Sequence, residues 1–239
     1  MPRATPFPVR ARGGRRASCR ASCRSIRRRS TNLTERGARR SVLLVVSGPS
    51  GAGKDTVIER LRQLEPDVAY CVSVTTRKPR QYEVEGVHYH FTNRDEFERS
   101  AAAGQFLETR EYAGNLYGTP RRFVDQALRS GQDLILKPEV NGARAIKSLY
   151  KEAVLVFLTA PSDHELQRRL EQRHMDSQRD INERMHIAQE EEDAMSQFDY
   201  RVVNEEIETA LTQLHAILTA ERLKVARLLS RSKAGQQQA

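Results

Sequence analysis

The sequence predicts an α/β domain, a parallel sheet with helices on both faces. Two observations lead there. An apolar run, Val42-Leu43-Leu44-Val45-Val46, passes through a glycine-rich turn into a helical pattern with Val57, Ile58, Leu61 and Leu64. From Asp133 onward short apolar strands alternate with amphipathic helices, the rhythm of a parallel sheet buried on both sides.

The turn is Gly48-Pro49-Ser50-Gly51-Ala52-Gly53-Lys54-Asp55-Thr56. Its spacing, G-x-x-x-x-G-K, fits a phosphate-binding loop of the P-loop NTPase type. Glycines let the backbone curl so that several N–H groups face one anion. The following helix adds its positive N-terminal end, and Lys54 a mobile charge. The bland alternative is an ordinary turn between strand and helix. Three glycines, the lysine and the buried strand together favour the loop. Asp55 departs from the pattern, which asks for Ser or Thr there to meet Mg²⁺, and Thr56 follows one place later.

Beyond the loop helix, Val68 to Val74 is a β-rich run. Thr75 to Arg80 is polar and broken by Pro79. Val87 to Phe91 reads as a short strand, and Asp95 to Ala103 as a helix capped near Thr92 or Asn93. Phe106 to Tyr112 alternates like a strand. Gly114-Asn115 is a turn, and Tyr117-Gly118-Thr119-Pro120 leads into a helix with Pro120 in its first turn. Then come strand Leu134–Leu136, helix Gly142–Leu149, strand Ala153–Leu158, and helices Ser162–Arg173 and Arg179 to about Met195. Strand Tyr200–Asn204 and helix Ile207 to about Leu229 complete the series. The region from about 73 to 120 interrupts the alternation and reads as a β-rich insertion with a second binding site. The body is expected to span 41–230.

Charge is unevenly spread. Residues 1–40 hold 13 arginines and one acid, Glu35, whereas the remainder carries 27 Lys+Arg against 30 Asp+Glu. The basic pI therefore belongs to the N-terminal segment, and the body is not expected to bind nucleic acid. Residues 1–40 lack hydrophobic periodicity and are expected to be disordered. They fit an organelle transit peptide, a basic arm for nucleic acid or an anionic surface, or an upstream extension without a role. The missing apolar helix face favours the last. Residues 231–239, rich in Gln, are expected to fray. Cys19, Cys23 and Cys71 show no zinc spacing, and their odd number argues against a disulfide framework. A reducing, cytoplasmic setting is the default. No apolar run is long enough to span a membrane.

The segment Ser73-Val74-Thr75-Thr76-Arg77-Lys78-Pro79-Arg80 sets two arginines beside hydroxyls, as a phosphate grip would. Tyr89 and Tyr117 can each donate one more hydrogen bond. A solvated basic loop is the alternative. His88 and His90 alternate, so both are expected on one side of a strand. With no third ligand at suitable spacing, they read as surface histidines.

Taken in order, the glycine loop, S-x-T-T-R-x-P-R at 73–80, G-x-x-Y-x-F at 86–91, F-x-E at 106–108 and G-x-x-Y-G-T at 114–119 closely resemble guanylate kinase. The likeness continues through Asn141-Gly142-Ala143, Arg169, Arg173, Ile181, Arg184 and Val203-Asn204 and covers about 42–225. It implies transfer of the γ-phosphoryl of ATP to GMP or dGMP, with Mg²⁺ as cofactor. Gly48 to Thr56 and Asn204 would bind ATP. Arg77, Arg80, Tyr89 and Tyr117 would hold the GMP phosphate. Glu108 would read the guanine N–H donors, with Ser73, Thr119 and Glu139 assisting. Lys54 and the arginines Arg169, Arg173 and Arg184 of a helical lid over about 169–190 would stabilise the transferring group. For the arginines, ion pairing with Glu171 and Asp180 is the plain alternative.

Several positions depart from the family pattern. Asp55 stands where Ser is usual, Lys137 and Glu139 where two aspartates are common, Asn141 for Gln and His174 for Gly. Lys137 reverses the sign where an acid would orient magnesium waters. Asp55 and Lys137 are therefore expected to be a compensating exchange, with Asp55 as the Mg²⁺ carboxylate. A guanylate-kinase-like binding module and a P-loop kinase for another nucleotide are the competing readings. The intact loop argues against the first.

Overall fold

The computed structural model describes residues 40–81, 83–112, 114–172 and 178–229. The expectations for residues 1–40 and 231–239 lie outside this range, apart from Arg40. The described residues fall in one compact unit.

A five-stranded parallel sheet forms the centre. Its order is β2 (Ala69–Tyr70), β7 (Leu134–Leu136), β1 (Leu43–Ser47), β8 (Val154–Thr159), β9 (Tyr200–Val203). Side chains on a strand alternate between faces, so the apolar run of β1 serves two cores. Leu44 and Val46 pack with α1 (Lys54–Leu64) and α7 (Ile207–Arg222) through Val57, Ile58, Leu61, Ala210 and Leu214. Leu43 and Val45 face α3 (Arg121–Arg129) and α4 (Val140–Leu149) through Val124, Ala143 and Ile146. Burial on both faces is why these strands are uniformly apolar rather than alternating.

Between β2 and β7 the chain builds a second sheet, ordered β4 (His90–Phe91), β3 (Val74–Thr75), β6 (Asn115–Pro120), β5 (Phe106–Tyr112). α2 (Arg94–Ala102) flanks it, capped by Asn93, whose side chain accepts from the Glu96 N–H. Phe97 of α2 stacks on Phe106 at 4.6 Å between centroids. After β8 come α5 (Asp163–Glu171), capped by Ser162, and α6 (Gln178–Asp193). A short 3₁₀ turn, Ala194–Gln197, leads into β9.

Several elements differ from the sequence expectation. The run Val68–Val74 splits: β2 joins the main sheet and β3 the second, because the chain changes hydrogen-bonding partners near Cys71. The strand expected over 87–91 shrinks to His90–Phe91. Ahead of it the chain turns, with Gly86 at φ +73° and the His88 N–H on the Val84 carbonyl. His88 and His90 thus do not share a strand face. His88 accepts from the Val84 N–H at 3.0 Å, and His90 pairs with Glu85 at 2.9 Å. Tyr117 to Pro120, expected as a lead-in, belong to strand β6, which pairs with both β3 and β5. The last helix breaks after Arg222 and restarts as α8 (Val225–Leu229).

The carboxyl ends of β1, β7, β8 and β9 reach one edge of the parallel sheet, where ligands bind in open α/β folds. The phosphate loop, Lys137, Glu139 and Asn204 follow directly from those ends.

Candidate active site

The loop from Gly48 to Gly53 is bonded into the sheet behind it. Gly48, Gly51 and Gly53 all have positive φ, of 131°, 93° and 90°, a backbone that other residues rarely adopt. A Cβ on Gly48 would collide with the Leu158 carbonyl of β8, and one on Gly53 with the Asn204 side chain. Asn204 is buried, and its amide donates to the Ala52 carbonyl at 2.8 Å. The Asn204 carbonyl in turn accepts from Arg169 at 2.9 Å, and Glu165 holds the same guanidinium at 2.7 Å. Lys54 curls over the loop and donates to the carbonyls of Gly48 at 2.5 Å and Pro49 at 2.9 Å. Asp55 and Thr56, the next two residues, are exposed on the first turn of α1.

Across the cleft an aromatic and basic cluster assembles from the second sheet and the 77–83 loop. Arg77 forms a two-pronged pair with Glu83, at 2.9 and 2.7 Å. Its guanidinium lies 5.4 Å from the centre of the Tyr89 ring. Tyr89 and Tyr117 meet edge to face at 6.0 Å. Glu83 also accepts the Arg80 backbone N–H at 2.8 Å, so one carboxylate ties both arginines' segment together. Burial raises the Glu83 pKa, but the Arg77 pair and the Arg80 N–H outweigh it and hold the carboxyl below its ordinary value. Glu83 was not picked out from the sequence. Its signal is an acid three residues past Arg80 in a loop otherwise basic.

Glu108 sits where β5 slips in register against β6. Phe106 faces Pro120 and Thr109 faces Gly118, so Leu107 and Glu108 together oppose Thr119. Such a bulge re-aims a side chain. The Thr119 hydroxyl donates to one Glu108 oxygen at 2.6 Å. The other oxygen is buried with no hydrogen-bond partner among the described residues. A buried acceptor left open in this way is costly unless a ligand completes it. Gly142, at the start of α4, makes room, since a Cβ there would lie 2.8 Å from that open oxygen. Ser73 flanks β3, and its carbonyl accepts from the His90 N–H at 2.9 Å.

Glu139 meets the guanidinium of Arg110, a residue the sequence reading passed over. Both line a cavity of about 400 Å³ with Asn141, Arg144 and three residues of α6, Ile187, Glu190 and Glu191. Burial pushes the Glu191 carboxyl above its ordinary value despite Lys54 and Arg110 nearby. Arg110 alternates with Glu108 on an exposed-looking strand, so only the fold reveals its burial against acids. Arg184 is half-buried on α6, while Arg173 and His174 lie outside the described residues. Arg169 pairs with Glu165 four residues back on α5 and with the Asn204 carbonyl, so ordinary helix ion pairing is present, with Glu165 in place of the expected Glu171.

Asp55 and Lys137, 82 residues apart in sequence, form a direct ion pair. The Lys137 ammonium also lies 3.3 Å from the Tyr89 hydroxyl. Burial favours its neutral form, but Tyr89, Tyr70 and Asp55 more than offset this and raise its pKa well above the lysine norm.

Comparison with known proteins agrees with this geometry. The family model described as guanylate kinase matches residues 40–221. The guanylate kinase of Carboxydothermus hydrogenoformans is 44% identical over 189 residues, 79% of this chain and 93% of that protein. That of Gluconobacter oxydans is 45% identical over 190 residues, 79% of this chain and 91% of that protein. The crystal structure of guanylate kinase from Anaplasma phagocytophilum superposes with a TM-score of 0.70 at 31% identity, covering 84% of this chain and 96% of that one. With a match that runs from the edge of β1 through most of α7, and relatives aligned over nearly their full lengths, this chain belongs to the guanylate kinase family.

Proposed function

We propose that the chain transfers the γ-phosphoryl group of ATP to GMP, giving ADP and GDP, with the donor at the phosphate loop and the acceptor between the second sheet and the β7–α4 turn. The observation that carries this reading is the half-used, buried carboxylate of Glu108 opposite an intact phosphate loop. Guanine offers two parallel donors, its ring N–H and its amino group. Adenine lacks that pair, so AMP would leave Glu108 unpaired, and a polar site rejects such a ligand strongly.

The residue roles we assign are supported by the contacts above and by the family resemblance. Backbone N–H groups of Gly48 to Thr56 cradle the ATP phosphates, and Lys54 leaves the loop carbonyls to meet the transferring group. Asn204 acts from behind, holding the loop's shape through Ala52. Arg77, Arg80, Tyr89 and Tyr117 hold the GMP phosphate, with Glu83 presenting Arg77. Thr119 orients Glu108, while Ser73 and Glu139 border the base. Arg169 and Arg184 contribute positive charge from the lid side, and the family resemblance gives Arg173 the same role. In the transfer a GMP phosphate oxygen attacks the γ-phosphorus in line, and the bond to the ADP oxygen breaks. Little covalent chemistry is asked of the protein beyond alignment and positive charge.

The donor set fits a nucleotide-borne magnesium ion. Magnesium in such sites needs one or two carboxylates beside substrate phosphates and water. Asp55 is the carboxylate next to Lys54, and its side chain is 67% exposed. No cluster of three or more metal-binding side chains occurs among the described residues. Bound there, the ion would neutralise charge on the β- and γ-phosphate oxygens. No described helix is long and apolar enough to cross a membrane, and a cytoplasmic enzyme of guanine nucleotide salvage is the setting we infer.

The deciding experiment is ADP release from ATP across AMP, CMP, UMP, GMP and dGMP. Turnover with GMP and dGMP should exceed that with the others by orders of magnitude. Equal turnover with AMP would overturn the role given to Glu108.

A further inference from the structure

One side chain joins the acceptor cluster to the donor loop, and the roles above leave it unused. Lys137 follows β7. Its side chain is only 6% exposed, whereas that of its partner Asp55 is 67% exposed. The ammonium lies 4.8 Å from the centre of the Tyr89 ring and 3.3 Å from its hydroxyl. Arg77 lies 5.4 Å from the same ring centre, and Tyr117 meets that ring edge-on. A buried cation is therefore enclosed on the acceptor side and capped at its outer end by a carboxylate from the donor helix.

A buried ammonium needs compensation. Asp55 and the Tyr89 ring supply it. A phosphate resting among Arg77, Tyr89 and Tyr117 lies within reach of the same ammonium. Asp55 and that phosphate then compete for one cation. Asp55 is mostly solvated, so water can take over its carboxylate, provided that the phosphate takes over the buried ammonium. The phosphate brings about two charges and charge-assisted hydrogen bonds.

We propose that Lys137 is a further ligand of the acceptor phosphate, held by Asp55 and handed over when GMP binds. This rests on the functional reading above and adds a residue to it. The exchange also frees the Asp55 carboxylate, beside Lys54, at the moment both nucleotides are present.

Calorimetric titration with GMP and with guanosine, without ATP or metal, tests the idea on wild type, Lys137→Met, Lys137→Arg and Asp55→Asn. Lys137→Met should lose about tenfold in GMP affinity and keep wild-type affinity for guanosine, which has no phosphate. Lys137→Arg should restore part of the loss. Asp55→Asn should tighten GMP binding, because the competing carboxylate is gone. If the pair is only a structural tie, Lys137→Met and Asp55→Asn will lose GMP affinity alike, and the proposal falls. It falls also if Lys137→Met binds GMP as wild type does, or loses GMP and guanosine in equal proportion. Should Lys137→Met not fold, Asp55→Asn decides: tighter GMP binding supports the handover and weaker binding refutes it. Wild-type protein that binds neither ligand would instead refute the functional reading, and the handover with it.

Discussion

Gly142 is a residue whose value lies in what it lacks. Its backbone is helical, and alanine would raise helix propensity there by about 1 kcal/mol. The added methyl, however, would press on the open Glu108 oxygen at 2.8 Å and on Pro138 at 2.9 Å. Gly142→Ala should therefore keep the fold yet raise KM for GMP about tenfold, with KM for ATP unchanged. Steady-state kinetics with each substrate varied in turn checks this, and equal rises in both would point to general distortion. At this scale the sequence was informative where chemistry repeats in a motif. The loop glycines and Arg77 could be named from their local pattern, and Glu108 through the resemblance to guanylate kinase. Glu83 and Arg110 could not, because their importance comes from what the fold sets opposite them. Lys137 and Asp55 stood out as departures, but only the sheet topology shows that they touch.

The elements were legible in kind more than in partnership. Apolar runs announced β1, β7 and β8, and a cap near Thr92 or Asn93 announced α2. The division of Val68–Val74 between two sheets was hidden, since a β-rich run does not state which neighbour it pairs with. Helix-to-sheet ties are similarly invisible. Arg222 of α7 pairs with Glu65 just beyond α1, at 2.8 and 3.1 Å, and with Asp133 just before β7, at 2.8 Å. Asp133 also accepts the Val42 N–H at 2.8 Å, which sets the start of β1. The Arg222 bond holds the Glu65 carboxyl below its ordinary value against the upward pull of burial, with His215 adding to it. A carboxyl with a lowered folded pKa stabilises fully above its unfolded value, and that contribution fades as pH falls through the folded value. Glu65→Gln should thus lower Tm by about 2–4 °C at pH 7, an effect on the order of 1 kcal/mol. The gap between variant and wild type should close as pH drops below about 4. Melting curves over that range test it, and a constant gap would assign the effect to packing.

At the scale of the whole molecule, the buried core runs from Val42 to Leu218. The strongly basic segment lies before it. Arg40 is the first described residue, with its N–H on the Arg227 carbonyl at 2.9 Å and its guanidinium on Glu152 at 2.5 Å. Protein beginning at Arg40 should keep full activity and the same Tm, because none of the described core lies earlier. A marked drop in either would give the basic segment a part in the enzyme. The parallel architecture was readable from the βαβ rhythm, whereas the strand order was not, since rhythm alone leaves open which strand takes the centre.

The central place of β1 has a consequence for how the protein is made. β1 leaves the ribosome first, yet its two neighbours arrive much later: Leu43 pairs with Leu134, and Leu44 with Val154. At about 5–20 residues per second, the apolar run waits roughly 5–20 s for the second of them. During that interval Val42–Val46 is a bare adhesive strip, a natural client for holding chaperones. The phosphate loop cannot take its shape either, since Leu158 and Asn204 are among the walls that mould it. Nascent chains stalled with only residues up to Pro120 outside the exit tunnel should be cut readily by protease. Those exposing residues through Arg222 should resist. Protection that already appears at the shorter length would mean that β1 finds a temporary partner.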